Sequence, residues 1–102
     1  MSSYSLTNKQ IVSTASQIEA ITNDQELIDS VAHSLRTGEK VYVYEVTRFD
    51  DQGYEITGED QMHMIYFTES ACAAFVWGSD PVWIHGAYTA QEAVHAYFNP
   101  TP

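Results

Sequence analysis

The sequence predicts one α+β domain, with two helices, an antiparallel sheet of four to five strands and a final helix. Three observations indicate this class. The chain has 102 residues, which suits a single compact domain over residues 1–102. Apolar residues recur at three- and four-residue steps near both ends. The centre is rich in Val and Tyr between turn residues.

Two amphipathic helices are predicted before Gly38. Thr7 and Gln10 have the spacing of a capping box, in which side chains and backbone amides satisfy each other at a helix start. Asn23 and Glu26 repeat that spacing. The apolar stripes that follow are Ile11, Val12, Ala15, Ile18 and Ile21 in the first helix, and Leu27, Ile28, Val31, Ala32 and Leu35 in the second. Gly38 is placed to end the second helix.

The central strands follow from Val, Tyr and Phe content. Lys40 to Phe49 is the clearest strand, Asp50 to Gly53 is a turn, and Tyr54 to Thr57 is a short return strand. Gln61 to Thr68 is the next strand. Large residues stand on both faces of the first of these strands, so the second face of the sheet is predicted to be partly covered.

The segment from Ala71 to Trp77 is compatible with a helical turn or a strand, and the strand is favoured because Phe, Val and Trp precede a Gly-Ser-Asp-Pro turn. Val82 to His85 would be its partner strand. Thr89 and Glu92 make a third capping spacing before a short final helix.

The charge balance excludes several function classes. The formal net charge is -10, and the only basic residues are Lys9, Arg36, Lys40 and Arg48. Direct binding to nucleic acid or to an anionic membrane needs more cations than this. A basic protein partner would be attracted. The alternative interpretation is that the acidity serves solubility alone.

Half of the acidic residues, seven of 14, fall between Val41 and Glu69. Carboxylates two residues apart on a strand project from one face about 6.6 Å apart, so such a hairpin could imitate a row of phosphates. The alternative is that these are ordinary polar turns. The predicted partner-binding carboxylates are Glu45, Asp50, Asp51, Glu55, Glu59, Asp60 and Glu69.

Two tryptophans, Trp77 and Trp83, bracket the Gly-Ser-Asp-Pro turn. They are predicted to face each other across a hairpin and to serve as partner-binding anchors, since Trp is favoured at interface hot spots.

No catalytic, cofactor or metal motif is present. Cys72 lies between two alanines and is interpreted as a small buried thiol, because reactive cysteines need an electropositive setting. His63 points away from both Met62 and Met64 on a strand, so these three residues cannot share a metal. The N-terminus has no signal-peptide pattern and no apolar run is long enough to span a membrane, so a cytoplasmic location is expected.

The clustered carboxylates from Glu45 to Glu69, the four basic residues and the compact α+β layout together resemble the small, acidic, phage-borne anti-CRISPR proteins. That resemblance implies a non-enzymatic inhibitor that binds stoichiometrically to a Cas protein or effector complex. Such a nucleic-acid mimic would occupy the Lys- and Arg-lined channel for guide, target or PAM duplex.

Two alternatives remain open at this point. One is an immunity or antitoxin protein that neutralises a basic nuclease toxin. The other is a small enzyme or ligand-binding domain with an aromatic pocket near Trp83, His85 and Tyr88.

Overall fold

The computed structural model describes residues 3–56, 61–67, 72–78, 80–84 and 89–98. Within them, five strands form one antiparallel sheet in the order β1-β2-β3-β4-β5, so the predicted α+β class is confirmed. The elements are β1 (Ser3–Val12), α1 (Ser16–Glu19), α2 (Gln25–Arg36), β2 (Val41–Phe49), β3 (Met62–Phe67), β4 (Cys72–Val76), β5 (Val82–Ile84) and α3 (Ala90–Phe98).

The sheet has a hydrophobic core on each face. On one face, α1 and α2 cover the α2-side core, which includes Leu27, Val41, Ile65 and Phe75. On the other face, α3 packs against the α3-side core. Its buried members are Val46, Met64, Cys72, Ala74, Ala93 and Val94. The second face is therefore covered by a helix, as the large residues on both faces of β2 predicted.

The prediction of a first helix from Thr7 to Ile21 is wrong over most of that segment. Residues Ser3–Val12 form the edge strand β1, paired with β2, and only Ser16–Glu19 is helical. Thr7 does not cap a helix, and its hydroxyl donates instead to the Glu45 carbonyl at 3.4 Å. The ladder with β2 satisfies the backbone groups that a helix would have satisfied internally, so tertiary pairing overrides the local pattern.

Helix α2 begins one residue later than the capping pattern predicts. Asp24, rather than Asn23, is the N-cap, and its Oδ1 accepts a hydrogen bond from the Leu27 amide at 2.9 Å. The helix ends as predicted, with Arg36 in the last turn. Gly38 then takes a φ of +85°, a left-handed conformation that costs glycine little.

The strand prediction for the centre is largely confirmed. Strands β2 and β3 lie within the predicted segments, and Cys72–Val76 is a strand rather than a helical turn. The prediction that Tyr54 to Thr57 is the strand paired with β2 is wrong. Glu55 makes only an isolated bridge to Phe49, and β3 is the strand that pairs with β2, from Val41 to Val46. The sheet reaches five strands because β1 joins it.

Strand β1 contains a bulge that shapes the surface beside it. Thr7 pairs with Glu45 and Gln10 pairs with Val43, so Asn8 and Lys9 together oppose one residue of β2. Asn8 has a φ of +52°, the one non-glycine residue with positive φ among those described. Asparagine tolerates this conformation better than most residues.

Helix α3 begins as predicted, because the Thr89 hydroxyl accepts a hydrogen bond from the Glu92 amide at 3.1 Å. The helix is also tied to the edge of the sheet, since Tyr4 Oη lies 2.9 Å from His95 Nδ1. Among the described residues, none of the helices has the length and apolar character that a membrane crossing requires.

Candidate partner-binding surface

Two loops leave the sheet at one end. Strand β2 ends at Phe49, and β3 begins at Met62, whose neighbours in the ladder are Val46 and Val76. Strand β4 ends at Val76. The connection after β2 and the connection after β4 therefore leave the sheet at the same end. Strands β2 and β4 are two strand spacings apart, roughly 10 Å.

Exposed carboxylates and aromatic rings collect at this end. We call this surface the acidic end. Tyr54 is 69% exposed and Trp77 is 53% exposed, which is high for side chains of their size. The carboxylates of the acidic end are all exposed. Its members among the described residues are Asp50, Asp51, Tyr54, Glu55, Trp77 and Asp80.

The turn that carries these acids is held by its own hydrogen bonds. Asp50 Oδ1 accepts from the Gln52 amide at 2.9 Å and from the Tyr54 amide at 3.0 Å. The Asp50 amide donates to the Tyr54 carbonyl at 2.8 Å. Gly53 supplies the positive φ, +86°, that closes the turn. Asp50 therefore has a structural role as well as a charge, in line with the polar-turn interpretation of this segment.

The described acids do not form a row along one strand. Asp50 and Asp51 lie in the turn, and Glu55 lies opposite Phe49 at the bridge. Strand β3 carries no acidic residue. The described carboxylates of this end therefore occupy loop positions and do not form a linear series along a strand.

Glu45 lies away from the acidic end, within β2 and on the face that α2 covers. It borders a groove of about 350 Å³, which we call the Glu45 groove, between the β1 bulge and the segment that contains α1. Asn8 Nδ2 donates a hydrogen bond to Glu45 Oε2. The residues around Glu45 in this groove include Asn8, Gln10, Gln17, Ile21, Val43 and His63.

His63 is paired with Glu45 across the β2–β3 ladder. Its ring stacks on Phe75, with centroids 5.8 Å apart and planes at 23°. Burial lowers the pKa of His63 below its usual 6.5, although the Glu45 charge and the nearby Gln61 backbone act in the opposite direction. His63 Nδ1 is the buried side-chain polar atom without a hydrogen-bond partner among the described residues.

The two tryptophans lie in different environments. Trp83 lies in β5 opposite Ala73, stacks on Phe67 at 6.0 Å between centroids, and packs against the α2-side core. Trp77 lies beyond the end of β4 and is exposed. The two rings are therefore not cross-strand neighbours, and Trp83 contributes to the core.

Several residues singled out from the sequence lie outside the described part of the chain. These are Glu59, Asp60 and Glu69 among the predicted contacts, and His85 and Tyr88 of the alternative aromatic pocket.

Cys72 is buried in the α3-side core, as the sequence indicated. Burial raises the pKa of its thiol to about 11, so it stays protonated at neutral pH. The described residues contain no group of three or more His, Cys, Asp or Glu side chains that could hold a metal ion.

Sequence reasoning missed Tyr54, Asp80 and Asn8. Tyr54 follows the Asp-Asp-Gln-Gly turn directly, which is a signal for an exposed aromatic residue at a loop tip. Asn8 offers a weaker signal, an asparagine between polar residues that suits a bulge. The placement of Asp80 at the same end of the sheet as the loop between β2 and β3 depends on strand register, which composition does not reveal.

This chain matches no family model, no curated protein and no solved structure.

Proposed function

We propose that this protein is a non-enzymatic inhibitor that binds a basic, nucleic-acid-binding surface of a Cas protein or CRISPR effector complex inside a bacterial host cell. The observation that carries the proposal is the acidic end, where two loops at the same end of the sheet carry exposed carboxylates and two exposed aromatic rings. The anti-CRISPR proteins that the chain resembles supply the partner class.

Electrostatics favours a basic partner. The chain carries a formal net charge of -10. A partner surface lined by Lys and Arg would be attracted before contact, which raises the association rate more than the final affinity. This attraction is screened over about 10 Å at 0.1 M salt. Binding should therefore weaken as salt rises.

The exposed aromatic residues account for slow dissociation from the partner, which charge alone does not provide. Trp and Tyr are frequent hot-spot residues at protein–protein interfaces. Tyr54 and Trp77 would lose water on contact and slow dissociation. Charge would then govern encounter, and these two rings would govern residence time.

The turn around Asp50 favours binding in a second way. Its backbone is already fixed by the two hydrogen bonds to Asp50 Oδ1 and by the bridge between Phe49 and Glu55. A loop that is ordered before contact loses less conformational entropy on binding. The carboxylates of Asp51 and Glu55 are thus presented on a preorganised turn.

The first experiment is an affinity pulldown of the tagged protein from bacterial lysates that contain CRISPR effector complexes, at low and at high salt. Proteins that elute are identified by mass spectrometry. Recovery of a Cas complex that is lost at high salt is the expected result. A basic nuclease toxin in its place would favour the immunity-protein alternative. Recovery of no nucleic-acid-handling protein at either salt would overturn the proposal.

Matched variants test whether the acidic end makes the contact. The triple variant Asp51→Asn, Glu55→Gln, Asp80→Asn removes three exposed charges and keeps Asp50 in its structural role. Exposed ion pairs contribute about 0.5 kcal/mol each, so the affinity should fall about tenfold. The control Glu19→Gln, Glu26→Gln, Asp29→Asn changes the net charge equally on the helices. Equal losses in both variants would show that net charge, and not this surface, drives binding.

A further inference from the structure

The Glu45 groove contains a carboxylate without a cation. Glu45 is half-buried, and among the described residues it makes no ion pair. Its carboxylate accepts a hydrogen bond from the neutral side-chain amide of Asn8. Removing a charge from water is unfavourable unless that charge is paired. A partly buried carboxylate in an open groove is therefore a position where a cation from outside would be favoured.

The two nearby basic groups do not supply that cation. Lys9 contributes to the groove wall, but its Nζ lies over the Tyr42 ring, 4.5 Å from the centroid. Tyr42 lies on the opposite face of β2 from Glu45, because side chains alternate along a strand. Burial keeps the pKa of His63 low, so its imidazole is neutral near pH 7 and does not offset the charge of Glu45.

The remaining walls suit the side chain of an arginine. Ile21 and Val43 provide apolar surface for a methylene stem, while Gln10 and Gln17 add amide groups. The volume of about 350 Å³ is at the lower end of the range for small-ligand sites. A guanidinium is more weakly hydrated than an ammonium and tolerates partial burial better.

We propose that the Glu45 groove binds the guanidinium group of an arginine side chain, with Glu45 as the counter-ion. Asn8, held in its left-handed conformation by the β1 bulge, fixes one carboxylate oxygen and leaves the other to accept from the guanidinium. The groove is a second contact site, separate from the acidic end. The idea that the arginine comes from a protein partner rests on the proposed function, whereas the chemistry of the groove does not.

The test is an NMR titration of the ¹⁵N-labelled protein with N-acetyl-arginine amide, which needs no protein partner. The neutral isostere N-acetyl-citrulline amide and N-acetyl-lysine amide are titrated in parallel. A single side chain in a shallow site should bind with Kd on the order of 1 mM. Saturable shifts at the amides of Asn8, Glu45 and His63 are expected, with arginine binding at least about fivefold more tightly than citrulline.

The variant Glu45→Gln should lose the arginine-induced shifts, and Glu55→Gln at the acidic end should keep them. Equal binding of arginine and citrulline amides by the unaltered protein would overturn the proposal without any variant. So would tighter binding of the lysine amide, or shifts confined to residues 50–55. A pulldown that recovers no nucleic-acid-handling protein, combined with arginine binding here, would reject the proposed function and leave the groove assignment standing.

Discussion

The structure predicts unequal losses of stability for truncating two adjacent side chains, Ile11 and Val12. Both belong to β1, where neighbouring side chains point to opposite faces. Val12 is 2% exposed in the α2-side core, and Ile11 is 66% exposed. The sequence pattern had placed both on one apolar stripe of a helix. Alanine substitution at each position therefore distinguishes the two arrangements.

The magnitudes follow from burial. Val12→Ala removes two buried carbon atoms, and at ~0.8 kcal/mol per methylene plus a cavity term it should cost about 2 kcal/mol. Ile11→Ala removes three carbons of which about a third of the surface is buried, so it should cost no more than about 0.8 kcal/mol, with no cavity left behind. Alanine lowers strand propensity at both positions, so this contribution largely cancels in the comparison.

Urea unfolding followed by tryptophan fluorescence measures the difference. With a urea dependence of about 2 kcal/mol per molar, Val12→Ala should lower the midpoint by roughly 1 M and Ile11→Ala by less than half of that. The slope should stay the same, since neither change alters the surface that unfolding exposes. If the larger truncation at Ile11 costs as much as the smaller one at Val12, or more, then residues 7–12 are not a strand with these two faces.

Three further outcomes are expected. Asp24→Ala should lower the free energy of unfolding by about 1 kcal/mol and the melting temperature by about 4 °C, because residue 24 caps α2. In the same thermal melts, Asp24→Asn and Asn23→Ala should have little effect, since asparagine also caps well and residue 23 is not the cap. Equal losses in Asp24→Ala and Asn23→Ala would contradict the observed cap. Burial lowers the pKa of His63 in the folded protein, so the unfolded chain binds a proton at His63 more readily than the folded protein does. The stability that neutral His63 contributes above pH 6.5 is therefore lost as the pH falls through the lower pKa of the folded state. Urea melts from about pH 8 to about pH 5 should then show a shallower acid loss in His63→Phe, and an identical slope would contradict this. Burial raises the pKa of the Cys72 thiol to about 11, so at about pH 8 the rate of its reaction with a thiol reagent should be limited by the rate at which the fold opens. Fast labelling of the native protein would show instead that Cys72 is accessible.

The sequence predicted best the elements whose signals are local. Helix α2 has a cap, an apolar stripe and a terminal glycine within a short stretch, and β2 is a continuous run of strand-forming residues. The capping prediction missed by one residue because Asn23 and Asp24 are both good caps and only the Leu27 hydrogen bond selects between them.

The sequence-based prediction failed where a strand pairs with residues that are distant in sequence. Residues 3–12 form a strand because β2, some forty residues later, supplies their hydrogen-bond partners. The Glu45 groove has the same origin, since it needs Asn8, Glu45 and His63 to meet across three strands. The acids between β2 and β3 were visible as composition, but their placement at the same end of the sheet as Trp77 and Asp80 follows from strand order.

The bulge in β1 also affects how this protein meets other copies of itself. Strand β1 is one edge of the sheet and is ten residues long, and a flat edge of that length invites another chain to add to it. The shift at Asn8 and Lys9 divides the edge into two short runs, Ser3 to Thr7 and Gln10 to Val12, which cannot both align with one straight strand. Lys9 adds a charge at the break. The same two residues that shape the Glu45 groove therefore also protect the open edge of the sheet against aggregation.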